Sequence, residues 1–316
     1  MALYAIGEAL IDFVPNKPGA PDDDTRYTPA VGGAPLNVAA AYARLGGKSY
    51  ILSQVGDDAF GERIAQVAEK AGIDTCYLKR TAQAKTALAF VTLQDNGERA
   101  FSFYRDPSAD MLYHADNIAD ITPQAGDILH FCSLSLGPFP MRAAHEAAIA
   151  RFREAGGIIS FDINVRLPLW KNPEDLRAAI FDFLPLADIV KVSDDELAFV
   201  TGISDVDAAL ASLLLGHVRH VIYTSGAQGA TWYGAAGQRG QTDAFAVSAV
   251  DATGAGDAFI GGLLLEMATL DVADEDIRRL LRHAAAVGAL TTLQRGAIAS
   301  MPDRAQLHSF QQEHSR

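Results

Sequence analysis

The sequence predicts an α/β fold: a mainly parallel sheet covered by helices on both faces, with a smaller β-sheet beside it. Three observations predict it. From about Gly126 onward, short apolar runs alternate with amphipathic stretches, the rhythm of consecutive βα units. Two earlier segments break that rhythm with turn-rich or alternating β patterns. With 316 residues and 49% hydrophobic content, the chain can bury a core large enough for one α/β domain over 1–316.

In chain order, Tyr4 to Ile6 reads as the first strand. Leu10 to Val31 carries the turn-rich Pro15-Asn16-Lys17-Pro18-Gly19, and Thr86 to Phe103 alternates around Asp95-Asn96-Gly97, a hairpin signal. Together they predict a small sheet built from about 10–31 and 86–106. Leu36 to Leu45 and Gly61 to Ala71 read as helices, with a strand from Ser49 to Gln54 between them. Ile128 to Cys132, Ile158 to Asp162, Ile189 to Val192 and Val221 to Thr224 read as buried parallel strands. Helices from Pro140 to Glu154 and from Pro173 to Leu184 separate the first three, and Gly156-Gly157 marks a helix exit. Ligands of open α/β sheets bind at the carboxyl ends of the strands, so a sheet inserted there would serve as a lid. The polar tail after Asp303 reads as peripheral.

Composition narrows the function classes. The net charge of −13 disfavours nucleic acid and anionic membrane, so an anionic ligand must be held by local donors. Two cysteines, Cys76 and Cys132, with no CxxC, point to a reducing compartment and packing roles. No basic leader opens the sequence and no apolar run is long enough to span a membrane, which predicts a cytoplasmic protein.

The segment carrying most chemistry is Asp251-Ala252-Thr253-Gly254-Ala255-Gly256-Asp257, followed at helical spacing by Phe259, Ile260, Leu263, Leu264 and Met267. Amides at a helix start lack intrahelical partners and, with the helix dipole, attract anions; glycine lets a phosphate approach. Asp257 beside such an anion would repel it unless it takes a proton from an attacking hydroxyl. The same residues also fit an N-cap Asp over a tight turn. No GxxxxGK[ST] or GxGxxG is present. A second glycine cluster, Gly32-Gly33, opens the helix bearing Asn37, whose amide suits sugar hydroxyls. Asp12 follows the first strand as a possible two-hydroxyl acceptor, and Arg105 and Arg166 offer planar donors. Glu196 in Asp194-Asp195-Glu196 could hold hydrated magnesium or simply favour a helix start. Thr224 to Gly229 fits a nucleotide loop or a glycine hairpin, and His130 within an apolar run reads as a satisfied core residue.

In this order the pieces resemble the ribokinase or PfkB family of sugar kinases, from Gly7 to about Pro302, with Gly32-Gly33 and Asn37 similar to its first signature and Asp251 to Asp257 to its second. The resemblance implies a Rossmann-like α/β/α core with a β lid and ATP-dependent transfer to a sugar hydroxymethyl group. It implies Asp257 as base and the amides of Gly254, Ala255 and Gly256 as anion hole. Asp12, Gly32, Gly33, Asn37, Arg105 and Arg166 would contact sugar, while Lys191, Ser193, Thr224, Gly226 and Gly229 would border ATP. Glu196 would organise Mg²⁺ through water, and Asp251, Thr253, Gly296 and Ser300 would surround a monovalent cation such as K⁺.

Within the family, Phe103-Tyr104-Arg105 and Asp162-Ile163-Asn164-Val165-Arg166 are most similar to fructokinases, implying fructose 6-phosphate as product. The 2-keto-3-deoxygluconate and aminoimidazole riboside kinases also resemble the chain, and a non-catalytic sugar or nucleoside sensor is the reading from another class. Ser193 stands where the magnesium motif commonly has Asn, and Ala285 where relatives often have an adenine-side Asn. The open edges of the predicted small sheet make a homodimer the expected assembly.

Overall fold

The computed structural model describes residues 1–16, 24–93, 99–267 and 269–314. The expected turns at Lys17-Pro18-Gly19 and Asp95-Asn96-Gly97 lie outside them. The chain opens with β1 (Ala2–Ile6), β2 (Leu10–Pro15), β3 (Tyr27–Gly32), α1 (Ala34–Arg44), β4 (Lys48–Gly56) and α2 (Ala59–Lys70). It continues through β5 (Ile73–Asp74), β6 (Leu78–Thr81), β7 (Ala87–Leu93), β8 (Arg99–Tyr104), β9 (Ile128–Cys132), α3 (Pro140–Glu154) and β10 (Ile158–Asp162). Then come α4 (Pro173–Phe183), β11 (Ile189–Ser193), α5 (Asp194–Thr201), α6 (Val206–Ser212), β12 (His220–Thr224), β13 (Ala230–Gly234) and β14 (Arg239–Thr242). Helices α7 (Ala255–Glu266), α8 (Asp274–Thr291) and α9 (Arg304–Glu313) close it.

The large sheet runs β14-β13-β12-β11-β10-β9-β1-β4-β5, with β6 also pairing β4. From β12 to β4 its neighbours are parallel. Each buried strand alternates its side chains across the sheet, and both faces are apolar because both are covered. Leu3, Ile128, Ile158, Ile189 and Ile222 pack with Phe259, Ile260 and Leu263 of α7 and Leu280 and Leu281 of α8. Their neighbours Tyr4, Leu129, Ile159, Val190 and Val221 face α3 to α6, packing with Ala144, Ile180, Leu197 and Leu210. The result is the α/β/α sandwich the sequence predicts. From β1 the chain first adds β4 on one side and later β9 on the other. The strand order therefore reverses beside β1, the place where such sheets open a crevice at their carboxyl ends.

The second sheet, β3-β2-β7-β8, sits outside this sandwich. Phe13 of β2 stacks on Phe90 of β7 with ring centres 4.7 Å apart, and Phe60 of α2 meets Phe13 edge-on at 5.7 Å, so aromatic contacts join the sheet to the core.

Some expectations need correction. The tail is not merely peripheral: Asp303 and Gln306 form a capping box that starts α9, and Leu307 and Phe310 are buried. Met267 lies just beyond α7 in extended backbone. Cys76 is exposed rather than packed, whereas Cys132 is buried. His130 is buried and shares a 3.0 Å hydrogen bond with Ser160, and burial lowers its pKa to about 3, so it stays neutral.

Candidate active site

Two glycine-led helix starts meet at the carboxyl ends of the central strands. Helix α7 begins at Gly254, whose φ of 78° is left-handed and which supplies no side-chain cap. A Cβ there would lie 2.9 Å from that of Ala297, so glycine is needed for space as well as conformation. Gly256 in the first turn is exposed, and helix geometry leaves its amide without an intrahelical acceptor. The Ala255 amide instead makes a 3.2 Å turn bond to the Ala252 carbonyl, so it is less available than the resemblance implied.

Asp257 follows in the same turn. Asn37, in the first turn of α1, donates from Nδ2 to Asp257 Oδ2 at 2.8 Å across 220 positions of sequence. Asn37 Oδ1 is buried without a hydrogen-bond partner, an acceptor facing no donor among the described residues. The Asp257 residue is partly exposed while its carboxyl is packed in by protein. That burial raises its pKa to about 7; the Asn37 bond pulls down, nearby Asp162 pushes up, and Lys191 and Arg166 pull down. A carboxyl poised near neutrality can accept a proton at physiological pH.

Beneath it lies a buried ion pair. Lys191 Nζ donates to both Asp162 oxygens at 3.0 Å. Burial disfavours the ammonium, but Asp162 and then Glu196 outweigh it and the Lys191 pKa is raised. The Lys191 ammonium is 3.6 Å from where a Gly256 side chain would begin, close under the α7 start. Arg166 is half-buried and donates to the Val165 carbonyl at 2.8 Å, within electrostatic reach of both Asp162 and Asp257.

The predicted cation residues converge. Asp251 accepts from the Thr253 amide at 2.9 Å, the Thr253 hydroxyl at 2.6 Å and, through its other oxygen, the Gly296 amide at 3.0 Å. Ser300 Oγ donates to the Gly296 carbonyl. Glu196 closes a capping box on Ser193 at 2.9 Å and also accepts the Val165 amide at 2.8 Å, so the helix-start role is real, with lone pairs left for water. Thr224, Gly226 and Gly229 lie in the β12–β13 hairpin at the same end of the sheet.

On the other side, Asp12 of β2 lies against Gly32, where any side chain would collide with its carboxylate, and a Cβ on Gly33 would meet the Glu8 carbonyl at 2.5 Å. Arg105 is buried and ion-paired with buried Asp110, and reaches Ser135 Oγ at 3.4 Å. Only its Nη2 is engaged in this way, and its Nε is buried without a hydrogen-bond partner. Sequence reasoning missed Glu8, Asp110, Asp162 and Asn164. Asp162 had a signal, an acid ending an apolar strand run, and Asn164 adopts a left-handed φ of 44° just beyond it.

A family model for pfkB family carbohydrate kinases matches residues 2–304. The chain belongs to the PfkB family of carbohydrate kinases. This PfkB kinase is 41% identical over 313 residues to probable fructokinase-4 of Arabidopsis thaliana, covering 98% of this chain and 96% of the relative. It is similar to a fructokinase with bound ATP from Xylella fastidiosa, with TM-score 0.89, 35% identity and coverage of 100% and 99% of the two chains. A Vibrio cholerae O395 fructokinase in fructose, ADP and calcium ion bound form matches with TM-score 0.87 and 35% identity over 98% of each chain. The Salmonella enterica aminoimidazole riboside kinase, complexed with aminoimidazole riboside and an ATP analog, matches with TM-score 0.87 and 32% identity, over 98% of this chain and 99% of that one.

Proposed function

We propose that this kinase transfers the γ-phosphoryl group of ATP to the 6-hydroxyl of fructose, giving fructose 6-phosphate and ADP. The observation that carries the reading is the Asp257 carboxyl, held by Asn37 in the first turn of α7 with a pKa of about 7. Asp257 takes the hydroxyl proton as the oxygen attacks in line, while the Gly254 and Gly256 amides and the α7 dipole receive the charge of the migrating group. The unpartnered Asn37 Oδ1 accepts from a sugar hydroxyl, alongside Asp12, Gly32, Gly33 and Arg166. Ser193, Thr224, Gly226 and Gly229 border the nucleotide, with Lys191 beneath its terminal phosphate.

No group of three or more His, Cys, Asp or Glu side chains suited to a bare metal ion occurs among the described residues. That fits Mg²⁺ held mainly by phosphate oxygens and water, with Glu196 behind the water, where it neutralises phosphate charge. A monovalent cation would be held at the loop tied by Asp251, Thr253, Gly296 and Ser300, reinforcing the α7 start. The small sheet serves as the lid that excludes water. Its outer strands β3 and β8 lack a second partner strand among the described residues, which supports pairing with a second copy. No helix among the described residues is long and apolar enough to cross a membrane. With the reducing-compartment cysteine pattern, we assign the enzyme to the cytoplasm.

The charge of Arg105 is already neutralised by Asp110, which favours a neutral sugar over 2-keto-3-deoxygluconate, whose carboxylate would add a second negative charge there. The Salmonella similarity keeps aminoimidazole riboside as the second candidate. A coupled ADP-release assay with fructose, 2-keto-3-deoxygluconate and aminoimidazole riboside tests the reading. Fructose should give the highest kcat/KM; a higher value for either other compound, or no turnover of any, refutes it.

A further inference from the structure

The small sheet joins the large one at four points: before β2, after β3, before β7 and after β8. Two of them meet at one side chain, and a third is linked to it through Ser135. Glu8, in the turn between β1 and β2, is fully buried. Its Oε1 accepts the Ala34 amide at 3.0 Å, immediately after β3 and the Gly32-Gly33 pair. Its Oε2 accepts from Ser135 Oγ at 2.8 Å, in the turn after β9. The same Ser135 oxygen lies 3.4 Å from the guanidinium of Arg105, the residue that follows β8. Arg105 is anchored in turn by Asp110, which also accepts from Ser108 Oγ. The fourth junction is held separately by Asp58, which takes the Thr86 amide at 2.9 Å and the Thr86 hydroxyl at 2.8 Å just before β7.

A carboxyl that sits at one entry of the sheet, bonds one exit and reaches a second through Ser135 fixes the angle at which that sheet stands over the core. The connections themselves run through glycines, Gly7 and Gly33 with positive φ of 144° and 117°, which carry no side chain to stiffen them. We propose that Glu8 is a positioning residue, the pivot that aligns the small sheet and the Gly32-Gly33 segment with the sugar subsite without touching sugar or phosphate itself. This rests on the fructokinase reading above. Its effect falls on the sugar rather than on ATP, since Asp12, Gly32 and Gly33 hang from the pivoted elements while the α7 start belongs to the core.

Glu8→Gln keeps one oxygen as acceptor for the Ala34 amide but puts a nitrogen that cannot accept where the other oxygen meets Ser135 Oγ, and Ser135→Ala removes that bond and leaves Glu8 in place. We expect Glu8→Gln to raise KM for fructose about tenfold, with kcat within about threefold of wild type and KM for ATP unchanged. Ser135→Ala should move the same constants the same way by a smaller factor, and Glu8→Asp should recover part of the loss. Hydrogen exchange without ligands should speed up in 10–15 and 27–32 of Glu8→Gln but not in the α7 start. A folded Glu8→Gln with wild-type KM for fructose, or one in which both KM values rise equally, overturns the pivot. If Glu8→Gln does not fold, Ser135→Ala decides by the same two criteria. Failure of the wild type to use fructose would refute the substrate reading instead, and the exchange comparison would still decide the pivot.

Discussion

Helices α1 and α7 both start at a glycine with positive φ and no side-chain cap of its own, yet the protein finishes the two starts in opposite ways. At α1 the first amide, that of Ala34, is filled by the Glu8 carboxylate from inside the protein. At α7 Gly256 is exposed, and the carboxyl of Asp257 in the same turn accepts from Asn37 instead. Helix starts attract anions wherever they occur, so what separates a structural joint from a phosphate site is whether the protein has already supplied the anion. A filled start stiffens the fold, and an open one stays available to an anion.

The largest effect should come from the open start. Asp257→Asn should lower kcat by about 10² to 10⁴ while KM for ATP stays the same or falls; steady-state kinetics showing a loss under tenfold would remove the proposed base. The same variant sharpens the contrast in stability. The folded pKa of about 7 exceeds the ordinary 3.8, so the fold binds this proton more tightly than the unfolded chain. Ionisation thus lowers wild-type stability progressively between those two values and leaves the full cost above about pH 7. Thermal melts should show Asp257→Asn above wild type in Tm at pH 8, with the difference vanishing near pH 4.

Unplugging the filled start should act on stability first. Glu8→Ala leaves the Ala34 amide and Ser135 hydroxyl buried without their partner, costing about 1–3 kcal/mol per unsatisfied group, measured by urea unfolding. An unchanged midpoint would mean that the α1 joint holds nothing. The wild-type pH profile follows: kcat/KM should rise with pH and level off above about 7 as Asp257 loses its proton. The smallest effect is expected from Arg166→Ala, which removes a charge that lowers the Asp257 pKa. Its profile midpoint should move upward by less than about one pH unit, with a higher KM for fructose. A downward shift would mean that Arg166 does not face the carboxyl.

The two starts also differ in how far they could be read from the sequence. The α7 start was legible because its chemistry is contiguous: glycines, Asp257 and the apolar period all fall within one short run. The strands of the core were legible for the same reason, since each is a local apolar run. Glu8 was not legible, because its partners Ala34 and Ser135 stand 26 and 127 positions away and nothing in Gly7-Glu8-Ala9 marks a buried acid. The Asp162–Lys191 pair likewise depends on the register of β10 against β11, where those residues lie side by side. Arg105 was seen as a donor, but Asp110, which pairs with its Nη2, was not. Local pattern reports what a residue can do, and tertiary contacts decide whether it is already engaged.

The bond from Asn37 to Asp257 has a consequence for how the enzyme comes into being. The two residues stand 220 positions apart, on helices that pack directly against each other. A ribosome delivers α1 long before Asp257 is synthesised, and on the proposed mechanism the base gains its Asn37 partner only when α7 docks. Incomplete translation products should accordingly be silent toward ATP, so that nucleotide is not squandered by chains still being made.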